Sequence, residues 1–98
     1  MTNTNNMMAL KRVENVLKRN AAARDNDSIL YTAVLQEEYN CSSNMRATTL
    51  EKRVTDGVLP SRDTVTRFRR KLQNENESLR GSLWNVRQNY AKVIGKTI

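Results

Sequence analysis

The chain has 98 residues, 38% hydrophobic and 28% charged, which is room for one small domain with a polar surface. Lys and Arg total 17 against 10 Asp and Glu, a formal charge of +7 that points toward a polyanion. Histidine is absent and Cys41 is the sole cysteine, which excludes His-based triads and metal sites, an internal disulfide and a Cys-rich zinc site. No apolar run approaches the roughly 18 residues that span a bilayer, and the polar start Met1–Asn6 does not read as a secretory signal. The expected compartment is the cytoplasm, and a lone Cys suits a reducing one.

One Pro and three Gly leave long stretches without breakers, which favours helices. The spacing of Leu10, Val13 and Leu17 predicts a helix over Asn5–Arg19, with Glu14 and Lys18 as an i,i+4 pair and residues 1–5 disordered. Asn20–Asp27 is rich in turn and cap formers. A second helix is expected over Ser28–Tyr39, capped by Asp25, Asn26 or Asp27, with Leu30 and Val34 inward and Tyr31 and Leu35 beside them. Asn40–Asn44 reads as a polar loop. A third helix is expected over Ala47–Asp56, where Thr48 and Glu51 fit a capping box and Gly57 a left-handed stop.

The fourth helix is the best defined. Pro60 and Ser61 give a stop and a cap, and Val65, Phe68 and Leu72 share one face, ending near Asn74–Asn76. Ser82, after Gly81, opens a fifth segment with Leu83, Val86, Tyr90, Val93 and Ile94 on one face. No internal repeat stands out, and Val58-Leu59 is too short to assign as a strand, so a small hairpin is left open. The predicted core is Leu10, Val13, Leu17, Leu30, Val34, Leu50, Val54, Val65, Phe68, Leu72, Leu83, Val86, Tyr90 and Val93.

The charge is uneven. Residues 1–27 carry +2, residues 28–60 carry −1 and residues 61–98 carry +6. Five basic side chains fall between Arg62 and Lys71. At about 100° per residue, Thr66, Arg67, Arg70, Lys71 and Asn74 lie opposite the apolar stripe and Arg69 flanks it. Neighbouring like charges on a helix are mildly unfavourable, and a phosphate backbone reverses that cost. Arg pairs with guanine, Asn with adenine, and Thr touches phosphate or a thymine methyl. A solvated basic face is the plainer explanation of the same residues.

The stretch Ser61-Arg-Asp-Thr-Val-Thr-Arg-Phe-Arg-Arg-Lys-Leu72 resembles the recognition helix of helix-turn-helix DNA-binding proteins. The resemblance implies that Ser61 caps the helix and meets phosphate. It implies that Arg62, Thr64, Thr66 and Arg67 approach the groove while Val65 and Phe68 anchor the helix. Residues 47–74 would form the helix-turn-helix-like unit, with Ala47–Asp56 as its first helix. Val65 follows Gly57 by eight positions rather than about six, Leu59-Pro60 looks inserted, and Arg53 stands where a small residue is usual. Those departures favour a longer-turn, winged-helix-like variant. A second resemblance, through Asn20–Leu30, Pro60–Gln73 and Leu79–Gly81, is to small proteins of bacteriophages of Gram-positive bacteria, and implies an accessory DNA-binding protein or an inhibitor of a host process.

Other chemistry has little support. Asp25, Asp27, Glu37 and Glu38 as a magnesium cluster would need oxygens converging from separate elements, and caps plus a solvated acidic end are preferred. Cys41 lacks an activating neighbour and reads as a loop thiol. Trp84 and Tyr90 suit base stacking but sit at core-like spacing, as do Tyr31 and Tyr39. Lys11-Arg12 and Lys18-Arg19 read as solvated surface in preference to a second DNA clamp.

The expectation is therefore a mainly α domain of four to five helices over residues 1–98, non-enzymatic, without cofactor or metal. Its DNA-facing residues would be Ser61, Arg62, Thr64, Thr66, Arg67, Arg70, Lys71 and Asn74. Double-stranded DNA is the expected partner, bound by a monomer or a two-fold homodimer. The alternative is a small adaptor or inhibitor that binds an acidic surface of a host or phage protein.

Overall fold

The computed structural model describes residues 4–89, with side chains from Met7 onward. The chain is mainly helical, and the described residues contain no strand. Its α-helices are α1 (Thr4–Arg19), α2 (Asp27–Ala33), α3 (Ala47–Thr55) and α4 (Arg62–Glu75), and α5 is helical over 84–89. Short 3₁₀ turns follow α1 (Ala21–Arg24) and α4 (Glu77–Leu79), and a wide π-type turn (Val34–Glu38) extends α2. Val58-Leu59 forms a bend between α3 and α4, so the hairpin left open by the sequence is not formed there.

The core lies between α1, α2 and α4. Val13, Val16 and Leu17 of α1 meet Leu30, Ala33 and Val34 of the second segment and Val65 and Leu72 of α4. Ala23 and Leu79, one from each 3₁₀ turn, complete it. Leu10, Tyr31, Tyr39 and Phe68 are partly buried against this cluster. Several core assignments need correction. Leu50 and Val54 are only half-buried, because α3 lies at the edge and buries no residue. Leu83 and Val86 are exposed rather than buried, and Tyr90, Val93 and Ile94 lie outside the described residues. Val16, Leu35, Leu59 and Leu79 belong among the buried side chains.

Caps explain most boundaries. Asn26 Oδ1 accepts from Ser28 N (2.9 Å) and Ile29 N (3.1 Å), so Asn26 is the cap of α2. Ser61 Oγ accepts from Thr64 N at 3.1 Å and starts α4 as its sequence indicated. The Thr48–Glu51 capping box does not form: α3 already begins at Ala47, with Arg46 as a cap residue that makes no side-chain bond. Gly57 closes α3 with φ +79°, a conformation costly for residues with a Cβ. The chain then turns through Leu59, which is buried, and Tyr31 donates its hydroxyl to Pro60 O (2.9 Å). Those two ties position the start of α4 against α2.

The ends of α1 and α4 are finished in the same way. Asn20 opens the first 3₁₀ turn by accepting from Ala23 N, and Asn76 opens the second by accepting from Ser78 N. Four residues after each Asn an arginine folds back on the helix. Arg24 donates to Leu17 O (2.6 Å) and Lys18 O (3.1 Å). Arg80 donates to Gln73 O (2.6 Å) and Asn74 O (3.1 Å). The donor and acceptor offsets are identical, so the chain does contain a local repeat, Asn-x-x-x-Arg, that sequence similarity alone is too weak to reveal. A cation over the last carbonyls also complements the negative end of the helix dipole.

At the centre, Arg69 is only 6% exposed, although the sequence placed it beside the apolar stripe rather than within the core. Its Nε donates to Asp27 Oδ1 at 2.6 Å and its Nη1 to Gln73 Oε1 at 3.0 Å. Gln73, fully buried, sends its amide to Arg24 O (3.0 Å) and Leu79 O (3.1 Å). One buried network thus joins α2, α4 and both 3₁₀ turns.

The start of α5 is capped from elsewhere in the chain. Asp25 accepts from the backbone of Ser82 and Leu83 and from the Ser82 hydroxyl. Ser82, expected as the cap, instead donates to it. A Cβ on Gly81 would overlap the Asp25 carboxylate, so glycine is required for this approach. On the other side, Arg19 donates to Glu37 (2.9 Å) and Glu38 (2.6 Å), and Arg12 to Glu38 O (2.7 Å) with its guanidinium 4.3 Å from the Tyr39 ring centre. These contacts hold the π-type turn to α1.

Replacement Asp27→Asn should strand the Arg69 charge and cost about 3 kcal/mol, the low end for a broken buried pair because Asp27 keeps some access to water. Arg69→Met should cost less, since Asp27 can re-solvate; urea unfolding measures both. Gly81→Ala should cost about 1 kcal/mol, the worth of a lost cap, and add little in an Asp25→Ala background. Partial burial pushes the Glu38 carboxyl upward, but donation from Arg19 and Asn15 outweighs it and holds the group below the usual glutamate range. The stability this supplies is full above the ordinary glutamate value and is lost as pH falls through the lower native one. Glu38→Gln should flatten that acid limb in thermal melts recorded against pH.

Candidate nucleic-acid interface

Helix α4 is the element to which the sequence assigns DNA contact, and its burial pattern decides which side chains are accessible. Val65, Arg69, Leu72 and Gln73 are buried. With these facing inward, the outward side must carry Arg67, Arg70, Lys71 and Asn74, which fall within about 100° of one another on a helical wheel. All four are exposed. They form a continuous stripe along the C-terminal half of the helix.

The remaining candidates are used differently. Ser61 and Thr64 are engaged at the cap, their hydroxyl oxygens 3.0 Å apart, and both are half-buried. Thr66 is also half-buried. Arg62 is exposed but reaches sideways, donating from Nη2 to Ser28 Oγ at 2.7 Å across to α2. The eight residues therefore do not form one surface. The four on the stripe share a face, while Ser61, Arg62 and Thr64 serve the helix start.

Electrostatics divide the stripe further. Arg67 pairs with Asp63 (3.4 Å) and Lys71 with Glu75 (3.0 Å), each along the helix and each largely exposed. Such pairs are worth about 0–1 kcal/mol and exchange readily for other counter-charges. Arg70 has no carboxylate partner among the described residues. The fifth cation of the helix, Arg69, is held by Asp27 and closed to a ligand.

Most other described cations have partners, some structural and some as exchangeable as those of the stripe. Lys11 and Lys18 both pair with Glu14, at 3.5 and 3.6 Å. Arg12 and Arg19 clasp the π-type turn, so the first helix offers no unpaired basic clamp among its described residues. Arg24 and Arg80 cap carbonyls, and Arg87 donates to Asp25 O. No motif rule predicts these roles, because each depends on which carbonyl or carboxylate the fold brings within reach.

The acidic residues considered for a metal also have other partners. Asp25 caps α5, Asp27 holds Arg69, and Glu37 and Glu38 hold Arg19. Cys41 is partly buried, its backbone N closing on Leu35 O at 2.9 Å after Asn40 takes a left-handed φ of 57°. Trp84 is half-buried beneath Arg80, whose guanidinium carbon lies 3.8 Å from the ring centre. Desolvation raises the hydroxyl pKa of Tyr31 and Tyr39 above the ordinary tyrosine value.

A groove runs between the start of α1 and the α3–α4 connection, lined by Met8, Arg12, Tyr39, Val58, Leu59 and Thr64. Met8 and Val58 are exposed apolar side chains in its lining. Among the described residues no helix is long and apolar enough to cross a membrane. Compared with family models, with curated proteins and with solved structures, the chain matches none of them.

Proposed function

We propose that the chain is a non-enzymatic DNA-binding protein that lays α4 against duplex DNA, acting as an accessory or regulatory factor encoded by a phage and working in the bacterial cytoplasm. The observation that carries this reading is the exposed stripe of Arg67, Arg70, Lys71 and Asn74 on a firmly capped helix whose other face is locked into the core. A rigid helix with long cationic side chains on one side suits phosphate contact, and Asn74 adds an amide able to pair with a base edge. Asp63 and Glu75 are weakly held counter-charges that DNA phosphates can replace.

The presentation of α4 differs from that of a compact helix-turn-helix. Helix α3 buries nothing and the connection from Asp56 to Ser61 is long. What supports α4 is α2 and α1 rather than α3. The DNA reading therefore rests on the basic helix itself and on the resemblance of Ser61–Leu72 to recognition helices, with a homodimer as the form that would read a two-fold site.

A second reading, an adaptor that binds an acidic surface of a host or phage protein, is favoured by the exposed Met8 and Val58 at the groove beside α4's first turn. Apolar side chains next to cations suit a protein partner better than a phosphate backbone.

Combined replacement of Arg67, Arg70 and Lys71 by Ala should leave the fold intact, since all three are exposed. It should weaken duplex binding and reduce the slope of log affinity against log salt by roughly 0.9 for each phosphate no longer neutralised. A salt-titrated shift assay on duplex, single-stranded and RNA probes reads this directly. Absence of duplex binding at low salt removes the DNA reading, and a partner that survives nuclease treatment of a pull-down then supports the adaptor.

A further inference from the structure

A second feature lies past the stripe, where the C-terminal half of α4 faces α5. A crevice there is lined by Arg69, Arg70 and Asn74 from α4 and by Trp84, Arg87 and Gln88 from the last segment. Asp27 is the one carboxylate in its wall among the described residues. Three guanidinium groups thus face a single carboxylate, and that carboxylate is already bound by Arg69 at 2.6 Å. Among the described residues, Arg70 and Arg87 have no carboxylate partner.

The polar groups around them have spare donors. Arg70 is exposed, without a carboxylate partner among the described residues. Arg87 uses one nitrogen on Asp25 O, while its Nη1 is buried and has no acceptor among the described residues. Asn74 and Gln88 each carry an amide with two N–H groups. The indole of Trp84, steadied by Arg80, forms an apolar wall. The crevice gathers amide donors and guanidinium charge against one carboxylate that Arg69 already holds, a balance that favours an anion.

We propose that the crevice between the C-terminal half of α4 and α5 is a phosphate-binding site, in which Arg70 and Arg87 supply charge and Asn74 and Gln88 orient the oxygens. Guanidinium forks match the tetrahedral oxygens of a phosphate monoester or diester. The ligand is either a free phosphate compound or a phosphate on a nucleic-acid strand. The site shares Arg70 and Asn74 with the proposed DNA face but stands without it, because Arg87, Gln88 and Trp84 belong to a different element.

Trp84 is the only tryptophan in the chain and lines the crevice, so its emission is a direct reporter. The full chain is titrated at constant ionic strength with inorganic phosphate, with a 5′-phosphorylated dinucleotide, with the matching nucleosides, which carry no phosphate and should give no saturable change, and with chloride as control. A saturable change with phosphate, absent with chloride, is expected. Arg70→Gln combined with Gln88→Ala should weaken it about tenfold or more, the loss of at least one charged hydrogen bond. Arg53→Gln, exposed on α3 and outside both the crevice and the stripe, should leave it within about twofold, given screening by salt. Saturation by both phosphate compounds assigns a free phosphate ligand, and saturation by the phosphorylated dinucleotide alone assigns a nucleic-acid strand.

The proposal is overturned if neither compound gives a saturable change, if chloride reproduces it, or if the double variant binds as the parent does while its circular dichroism is unchanged. Duplex shift assays on the same proteins separate the two ideas. For the parent chain, absence of duplex binding with a saturable Trp84 titration disposes only of the DNA reading, and duplex binding without a saturable titration disposes only of the crevice.

Discussion

The interaction on which the other contacts depend is the buried guanidinium of Arg69. A charge so enclosed is tolerated only with a close counter-charge and saturated hydrogen bonds. Asp27 supplies the first and Gln73 part of the second. Because Asp27 opens α2, the need to neutralise Arg69 fixes where α2 begins relative to α4. Because Gln73 also holds the carbonyls of Arg24 and Leu79, the same network sets both 3₁₀ turns. The outward direction of Arg67, Arg70 and Asn74 follows from this. Once Arg69 and Gln73 face inward together with Val65 and Leu72, helical geometry turns those three away from the core.

The positive charge of the chain has two employments. Some arginines complete the architecture. Arg12, Arg24, Arg80 and Arg87 all donate to backbone carbonyls that turns and helix ends would leave without partners. Arginine suits this because its planar fork reaches two acceptors at once, as Arg24 and Arg80 do with carbonyls seven and six residues earlier. Apart from Arg69, the rest of the charge is peripheral, paired weakly along helices or unpaired, and it is this part, with the second nitrogen of Arg87, that is left to meet a ligand. Net charge alone overstates the binding surface, since a capping arginine and a phosphate-seeking arginine count equally in a composition.

The two Asn-x-x-x-Arg turns give the molecule a recurring plan. Each follows a long helix, covers its last carbonyls and leads toward the next segment. Asp25, which follows the first turn, caps α5, which follows the second, and Gly81 leaves the space for that carboxylate. The two turns are thereby joined to each other as well as to Gln73. The crevice that gathers Arg70, Arg87 and Gln88 exists because this joint brings α5 beside the end of α4.

Much of the helical layout was legible from residue order. The spacing of Leu10, Val13 and Leu17, the Ser61 cap and the Gly57 stop act locally, through the backbone within a few positions, and each appears in the structure. The Thr48–Glu51 box failed because a capping pattern shows that a cap can form, not that α3 will start there. Leu83 and Val86 share a helical face, but nothing among the described residues buries them, and periodicity cannot say whether a partner surface exists. The sequence by itself determined that the chain is mainly helical, that its excess charge gathers toward one end, and that α4 carries much of it. Only the tertiary structure decided which cations remain free to bind. Arg69 and Arg70 are adjacent and chemically identical, yet one is buried against Asp27 and the other is exposed, because that choice depends on a carboxylate 42 positions away.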